Sequence, residues 1–444
     1  MTKYQCGLDL LITQKEDLKM NDNINHKINQ ITEQTLVVGI DIAKRKHYAC
    51  VVDDRGRVLK KAFPINQSRE GFIAFYQHLL NLQMKYEKTH IIVGFEPTGH
   101  YWMNLATFLL AHDIQYVVVN PMHVKKSKEL DDNLQTKNDQ KDAMVIAKLI
   151  RDGRFTFPRI LKDVDAELRN GVSARVALQK DMNVLTNRII KWTDRFFPEF
   201  QLEFKELGKT ALAVLEKTPL PQDILSNELS ELIDLYKEDT DLKCVSSKKV
   251  SKLKELAAQS IGLTEGLEMA RIEIQMLVEQ YRLLLKNYDF LADQLNQLVQ
   301  GSLEFEYILS IPGIGPHTAV EILSETGSFT NYENPRQLIK LAGLTLRENS
   351  SGEHKGQKKI SKRGRKKLRS ALYRAIFPMI RCNIAFKNLY TYYIERPDNP
   401  LKKKEAMVAL CSKLLKVIHG LCKKQQYFDP INMMVDIPNL QATA

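Results

Sequence analysis

Four carboxylates and one serine are this chain's candidates for phosphoryl-transfer chemistry: Asp41, Glu96, Asp139, Asp142 and Ser351. Asp41 closes a short, β-branched apolar run, Leu36 to Ile40, and Glu96 closes another, Ile91 to Phe95. Asp139 and Asp142 stand three apart where N-D-Q-K-D-A-M-V-I-A-K-L-I begins, so on a helix they share one face. Adjacent first and fourth strands would bring Asp41 and Glu96 together, and that helix can lie across the same edge. Four carboxylates meeting with no protein cation nearby repel one another unless divalent ions occupy the site. Mg²⁺, or Mn²⁺ in its place, would position a water, hydroxyl or scissile phosphate there and offset developing charge. The acids also have plainer uses: Asp139 as a helix cap, Asp142 as a first-turn acid favoured by the helix dipole. Asp53, Asp54, Asp131, Asp132 and Asp152 read as turn or solvent acids. Ser351, between Ser350 and Gly352, needs an activated hydroxyl and a stabilised phosphorane to act as a nucleophile. Otherwise it is an ordinary loop serine bonded to backbone.

The elements that would position these groups follow from spacing. Strands are expected at 36–41, 47–53 and 58–65, then a helix from about Ser68 with Phe72, Phe75, Tyr76, Leu79 and Leu80 on one stripe. The Ser68 hydroxyl can cap it. Strand Ile91–Phe95 is broken by Pro97-Thr98-Gly99, and a helix with Trp102, Leu105, Phe108 and Leu109 follows. Tyr116 to Val119 is a fifth strand, stopped by Asn120-Pro121; a polar stretch then leads to a helix at 138–150, striped by Ala143, Ile146, Ala147 and Ile150. This order predicts a ribonuclease H-like α/β domain over 34–160, preceded by a mobile extension at 1–33.

From 161 to 300 no strand signal remains. Two long runs at helical spacing, 163–196 and about 265–299, read as antiparallel helices forming a coiled-coil linker. It serves either as a packed spacer or as an arm for oligomerisation or nucleic acid. Residues 301–425 form a mainly helical C-terminal domain and 426–444 a tail. Within it, I-P-G-I-G-P places Gly313 and Gly315 in a helix–hairpin–helix-like turn whose N–H groups can hold a phosphate. The plain alternative is a tight helix–helix turn without a ligand. Between Lys355 and Arg369 lie nine Lys or Arg and no acid, and a helix starts at Lys366. Charge this unbalanced repels itself unless phosphates neutralise it. Lys355, Lys358, Lys359, Lys362, Arg363, Arg365, Lys366 and Arg369 are therefore the expected phosphate contacts. Lys44 and Lys46 are secondary candidates, and solvated lysines are their plain reading.

Composition agrees. The chain has 444 residues, 44% apolar and 27% charged, with a formal net charge of +12, which favours a polyanionic partner. No apolar run is long enough to span a bilayer, and the N-terminus lacks a signal-peptide profile. The six cysteines never occur as C-x-x-C, which fits a reducing cytoplasm better than a disulfide scaffold. His47, His100 and His354 have no zinc-site spacing.

The chain resembles the transposases of the bacterial insertion-sequence-110 family, also named after insertion sequences 116 and 902. The likeness rests on V-G-I-D-I-A-K-R-K-H, F-E-P-T-G-H-Y, N-D-Q-K-D-A and I-P-G-I-G…A-G-L…S-S-G…I-S-K-R-G-R-K-K-L-R, spread over roughly 36–425. It implies a domain like the RuvC Holliday-junction resolvase with a D-E-D-D acid set, carried onto Asp41, Glu96, Asp139 and Asp142. It also implies a coiled-coil linker and a C-terminal transposase domain with a catalytic serine before glycine, Ser351 by position, with Ser350 the lesser claimant. The family's activity would be excision and insertion of an element by strand exchange between double-stranded donor and target DNA. A structured bridge RNA encoded in the element guides it, with a covalent protein–DNA link at the serine and Mg²⁺ at the acids. Further implications are a homo-oligomer, dimer to tetramer, and a cytoplasmic, nucleoid-associated location in bacteria. Two features depart from the family: Leu346 occupies the usual proline position of A-G-L-x-P, and residues 1–33 exceed the usual lead. The rival readings are a metal-dependent, structure-specific endonuclease using the acids alone, and a non-catalytic nucleic-acid scaffold.

Overall fold

In the computed structural model, which describes residues 25–97, 99–131, 139–158, 161, 163–238, 244–347, 350–351, 354–355 and 359–434, strand β1 (Thr35–Asp41) is buried along its whole length except at Asp41. At 129–131, 139–140, 350–351, 354–355 and 434 the description extends to backbone only. A short helical segment, α1 (residues 25–28), precedes β1. The expected extension at 1–33 lies mostly outside the described residues, as does the tail beyond 434.

Strand β2 (Lys46–Val52) pairs antiparallel with β1, and β3 (Val58–Asn66) antiparallel with β2. Helix α2 (Arg69–Lys85) starts where the Ser68 hydroxyl accepts from the Gly71 N–H at 3.1 Å. Strand β4 (His90–Phe95) returns parallel to β1; α3 (Trp102–Ala111) leads to β5 (Gln115–Val119), parallel to β4. Helices α4 (Pro121–Asp131) and α5 (Asp139–Arg151) and strand β6 (Phe155–Thr156), antiparallel to β5, complete a six-stranded sheet of order β3-β2-β1-β4-β5-β6. Side-chain alternation divides the core. Leu36, Val38 and Ile40 pack with Phe72, Phe75, Leu105 and Leu109 of α2 and α3, whereas Val37, Cys50 and Val52 pack with Ala143, Ile146 and Ile150 of α5. This mixed α/β architecture is consistent with a ribonuclease H-like domain.

Two elements here were not expected. Pro121 ends β5 and also opens α4, because a first-turn proline loses no helical hydrogen bond. The two-residue β6 is too short to show alternation.

The chain divides at Ile160/Leu161 into two compact units, and the second is mostly helical. Helix α6 (Asp163–Phe196) runs to α7 (Phe200–Glu203), α8 (Lys209–Lys217), α9 (Pro221–Leu225), α10 (Leu229–Lys237), α11 (Ser247–Ala258) and the long α12 (Leu267–Val299). Helices α6 and α12 pack antiparallel: Leu168 and Val172 share a core with Leu295 and Val299, and Leu185, Ile189 and Trp192 share another with Ala270, Ile274 and Val278. Trp192 Nε1 donates to the Ala270 carbonyl at 2.8 Å, satisfying the indole at the buried end. The five short helices close that end, where Arg271 binds Asp223 bidentately at 2.6 and 2.9 Å.

The core shared by Leu168, Val172, Leu295 and Val299 continues into α13 (Leu303–Leu309), α14 (Pro316–Thr326), α15 (Pro335–Leu341), α16 (Lys366–Cys382), α17 (Ile384–Glu395) and α18 (Lys403–Lys424), with α19 (Pro430–Met434) beside them. Between α15 and α16 lie the short strands β7 (Leu346–Arg347), β8 (Ser350–Ser351), β9 (His354–Lys355) and β10 (Lys359–Ile360), paired as β7–β10 and β8–β9.

Candidate active site and nucleic-acid interface

In the first unit, the parallel register sets Ile40 opposite Phe95, so Asp41 and Glu96 each follow one residue on at the same edge of the sheet. The strand order reverses between β1 and β4, and ligands of open α/β sheets bind outside the carboxyl ends of strands at such a point. Gly39 and Gly94 are also partners, and together they make a floor on which α5 lies close. A Cβ on Gly39 would stand 2.3 Å from the Ala143 carbonyl oxygen and from the Ala147 nitrogen; one on Gly94 would meet Ile150 Cδ1 at 2.5 Å.

At its far end α5 places Arg151 by the β2–β3 turn, Nη1 donating to the Arg55 carbonyl at 3.3 Å. The helix thus runs antiparallel to β1, and its first turn, with Asp139 and Asp142, lies where β1 and β4 finish. The Asp139 side chain lies outside the described residues. Asp142 is 8% exposed, and its carboxylate forms an ion pair with Lys128 of α4. A protein cation therefore stands at this end of the sheet and neutralises one of the four acids. Among the described residues no group of three His, Cys, Asp or Glu is close enough to hold a metal ion. The donor chemistry still suits one: all-carboxylate oxygen donors match Mg²⁺ or Mn²⁺ rather than Zn²⁺.

A hydrogen-bonded chain links the segments leaving the two acid-bearing strands. The Ala43 N–H donates to His47 Nδ1 at 3.1 Å, His47 Nε2 contacts Gln67 Oε1, and Gln67 Nε2 donates to the Tyr101 carbonyl at 3.0 Å. Ala43 lies two residues beyond Asp41 and Tyr101 five beyond Glu96. His47 is fully buried, and burial holds its pKa below the ordinary 6.5, so the ring stays neutral with its proton on Nε2. Asp53 is a turn acid as expected, accepting from the Arg55 and Arg57 N–H groups at 3.0 and 2.7 Å.

In the second unit, β8 and β9 pair Ser351 with His354 and Ser350 with Lys355; these side chains, Gly352 and Lys358 lie outside the described residues. Beneath them Leu346 pairs with Ile360 and Arg347 with Lys359. Leu346 is 64% exposed at the position where a proline was expected. The base of this loop is tight, since a Cβ on Gly364 would lie 2.5 Å from both the Gly343 nitrogen and the Leu341 carbonyl oxygen.

The basic stretch divides by role. Lys359, Lys362, Arg363 and Lys366 are exposed. Arg365 Nη1 donates to the Glu325 carbonyl at 2.5 Å and Arg369 Nη1 to the Ala342 carbonyl at 2.8 Å, so both guanidinium groups brace the loop base. The two glycines of the hairpin also differ. Gly313 (φ +96°) has no room for a Cβ, which would sit 2.8 Å from Met379 Cα of α16, whereas Gly315, the α14 N-cap, faces open space.

Sequence reasoning missed a set of charges on α14. Glu321 binds the buried Arg175 of α6 at 3.2 Å and also Arg374 of α16; Glu325 lies between Arg169 of α6 at 3.9 Å and Arg365 at 3.6 Å. The only signal was the i, i+4 spacing of the two acids.

Comparison with known proteins agrees across both units. A family model described as "Transposase" matches residues 38–198, and one described as "Transposase IS116/IS110/IS902 family" matches 305–391. The chain is 24% identical to a "Pilin gene-inverting protein" of Moraxella lacunata over 401 residues, covering 88% of this chain and 97% of that protein. It is also 24% identical to the "Transposase for insertion sequence element IS1111A" of Coxiella burnetii, over 88% of this chain and 91% of that one.

Proposed function

The chain belongs to the IS116/IS110/IS902 family of transposases, enzymes of DNA recombination, and from that premise we propose that it excises and inserts an insertion sequence by RNA-guided strand exchange, with Ser351 as nucleophile. The observation that carries the reading is the parallel pairing of β1 with β4, which ends in Asp41 and Glu96, beneath a helix whose first turn holds Asp139 and Asp142.

In the proposed step the Ser351 oxygen forms a bond to the scissile phosphorus, and the bond to one sugar oxygen breaks. That sugar oxygen takes up a proton and leaves as a hydroxyl, while the serine proton passes to solvent or a nearby base. The phosphodiester count is conserved, so the reverse attack by a new hydroxyl rejoins DNA without a high-energy cofactor. Asp41, Glu96, Asp139 and Asp142 would hold Mg²⁺, or Mn²⁺ in its place; when bound, the cation offsets charge developing on the phosphate. Lys355, Lys358, Lys359, Lys362, Arg363 and Lys366 hold phosphates, with the N–H groups of the Gly313–Gly315 turn serving as a helix–hairpin–helix-like contact. The α6–α12 pair is the coiled-coil linker. Double-stranded donor and target DNA and a structured RNA encoded in the element are the partners, and the working assembly is a homo-oligomer, dimer to tetramer. One relative is named for inverting a gene and another for transposing an element, and strand exchange is a chemistry able to serve both outcomes.

The test is a strand-transfer assay with Mg²⁺, with the flanking noncoding RNA added or withheld, followed by denaturation to trap protein–DNA adducts. Wild type should recombine only with RNA and leave an adduct, and Ser351→Ala should bind DNA and leave none. Cleavage without an adduct would instead identify a hydrolytic, structure-specific endonuclease. Salt-sensitive binding with no cleavage, unchanged in Asp41→Asn, would identify a scaffold.

A further inference from the structure

Helix α16 breaks a local rule. Its first turn carries Lys366 and Lys367 and no acid, although cations are disfavoured at the positive end of the helix dipole. The whole segment K-K-L-R-S-A-L-Y-R-A-I-F-P-M-I-R-C contains five Lys or Arg and no Asp or Glu. One side buries Leu368, Leu372, Ile376 and Met379. At spacings of three and four, Lys366, Ser370, Tyr373, Phe377 and Arg381 follow one another along a different stripe, about 22 Å long at the helical rise. Phe377 is 50% exposed, and its ring meets Tyr373 edge-on, with centroids 5.4 Å apart and planes at 85°. Lys366 and Arg381 are exposed at the two ends.

An aromatic pair in the middle of a cationic, acid-free stripe matches one class of ligand. A single-stranded nucleic acid offers unpaired bases that stack on a π-face and phosphates on either side for the cations. An intact duplex keeps its base faces stacked inside, so it would engage the cations and leave Phe377 uncovered. We propose that this stripe of α16 binds single-stranded DNA, an unpaired base stacking on Phe377, which Tyr373 braces edge-on, while the backbone runs between Lys366 and Arg381. The proposal deepens the nucleic-acid reading of the basic stretch and rests on it, and DNA is the favoured strand because exchange between duplexes exposes unpaired DNA bases.

The test measures fluorescence anisotropy of the full chain with labelled oligothymidylate, a duplex of equal length and oligouridylate, with circular dichroism as a check on folding. Phe377→Ala should weaken oligothymidylate binding roughly tenfold, leave the duplex within about twofold, and be rescued by Phe377→Trp. Lys366→Ala combined with Lys367→Ala should weaken both DNA probes and flatten their salt dependence. Unchanged oligothymidylate binding by Phe377→Ala, beside lysine variants that do weaken it, overturns the proposal and leaves the basic stretch as a DNA contact. Equal losses on duplex and single strand overturn it too. A loss confined to oligouridylate overturns DNA as the ligand and assigns the stripe to RNA. Lysine variants without effect on any probe overturn the underlying reading, and the proposal with it.

Discussion

Lys128 and His47 are the two residues through which the acid-bearing edge can be probed. The Lys128 ammonium neutralises Asp142, a carboxylate only 8% exposed, so removing it leaves a largely desolvated charge. Lys128→Met should lower the stability of the metal-free protein by about 1–3 kcal/mol. A divalent ion that binds the folded acids restores stability by mass action, so the deficit should close as Mg²⁺ is added to a thermal unfolding experiment. A deficit that persists at saturating Mg²⁺ would show that no cation replaces Lys128. His47 gives the pH dependence. Its folded pKa lies below 6.5, so between the two values the unfolded chain binds the extra proton. Stability from this residue is complete above about pH 6.5 and declines as pH falls toward the lower folded value. Protonating Nδ1 also costs the hydrogen bond from Ala43, which fixes the segment beyond Asp41. Unfolding followed across mildly acidic pH should show this slope in wild type, and His47→Gln should flatten it.

At the scale of elements, glycines set the geometry. Gly39→Ala would press a methyl against the α5 backbone at 2.3 Å, where no side chain can swing aside. The helix must lift from β1, carrying Asp142 with it. A loss of about 1–3 kcal/mol is expected in denaturant unfolding, with recombination falling further than stability alone explains. The hairpin offers a paired comparison. Gly313→Ala strains a positive φ and collides with α16, whereas Gly315→Ala meets open space, so only the first should unfold more readily. Much of this layout was legible in the chain. Leu36 to Ile40 and Ile91 to Phe95 are β-branched runs long enough to declare themselves, and each ends in its acid, so the positions of Asp41 and Glu96 followed from local pattern. The long helices α6 and α12 were legible because Gly and Pro are scarce in them. Helix α4 was not, because P-M-H-V-K-K-S-K-E-L-D lacks an apolar stripe and buries Val124 alone among its described apolar residues. The partners of Asp142, Glu321 and Glu325 come from segments distant in sequence, and no local period encodes them.

For the whole molecule, the acids and the serine belong to different compact units of one chain, and the proposed chemistry needs both at one phosphate. The proposed homo-oligomer allows the acids of one protomer to complete the serine site of another. Asp41→Asn and Ser351→Ala would then each be inactive alone yet complementary when mixed. Mixed assemblies contain some sites built from the intact acids of the Ser351→Ala protomer and the intact serine of the Asp41→Asn protomer. Mixing the purified variants with donor DNA, target DNA, RNA and Mg²⁺ should therefore restore recombination, and the trapped adduct should sit only on the Asp41→Asn chain. Tagging the two chains to different masses reads this directly. If both groups act within one protomer, every site in the mixture lacks one of them, and no ratio of the variants restores activity. Salt provides a separate control: DNA held through Lys and Arg contacts to phosphate is released as salt rises. Complementation that fails at high salt and returns at low salt is a binding deficit, whereas failure at every salt concentration places the acids and the serine in one chain.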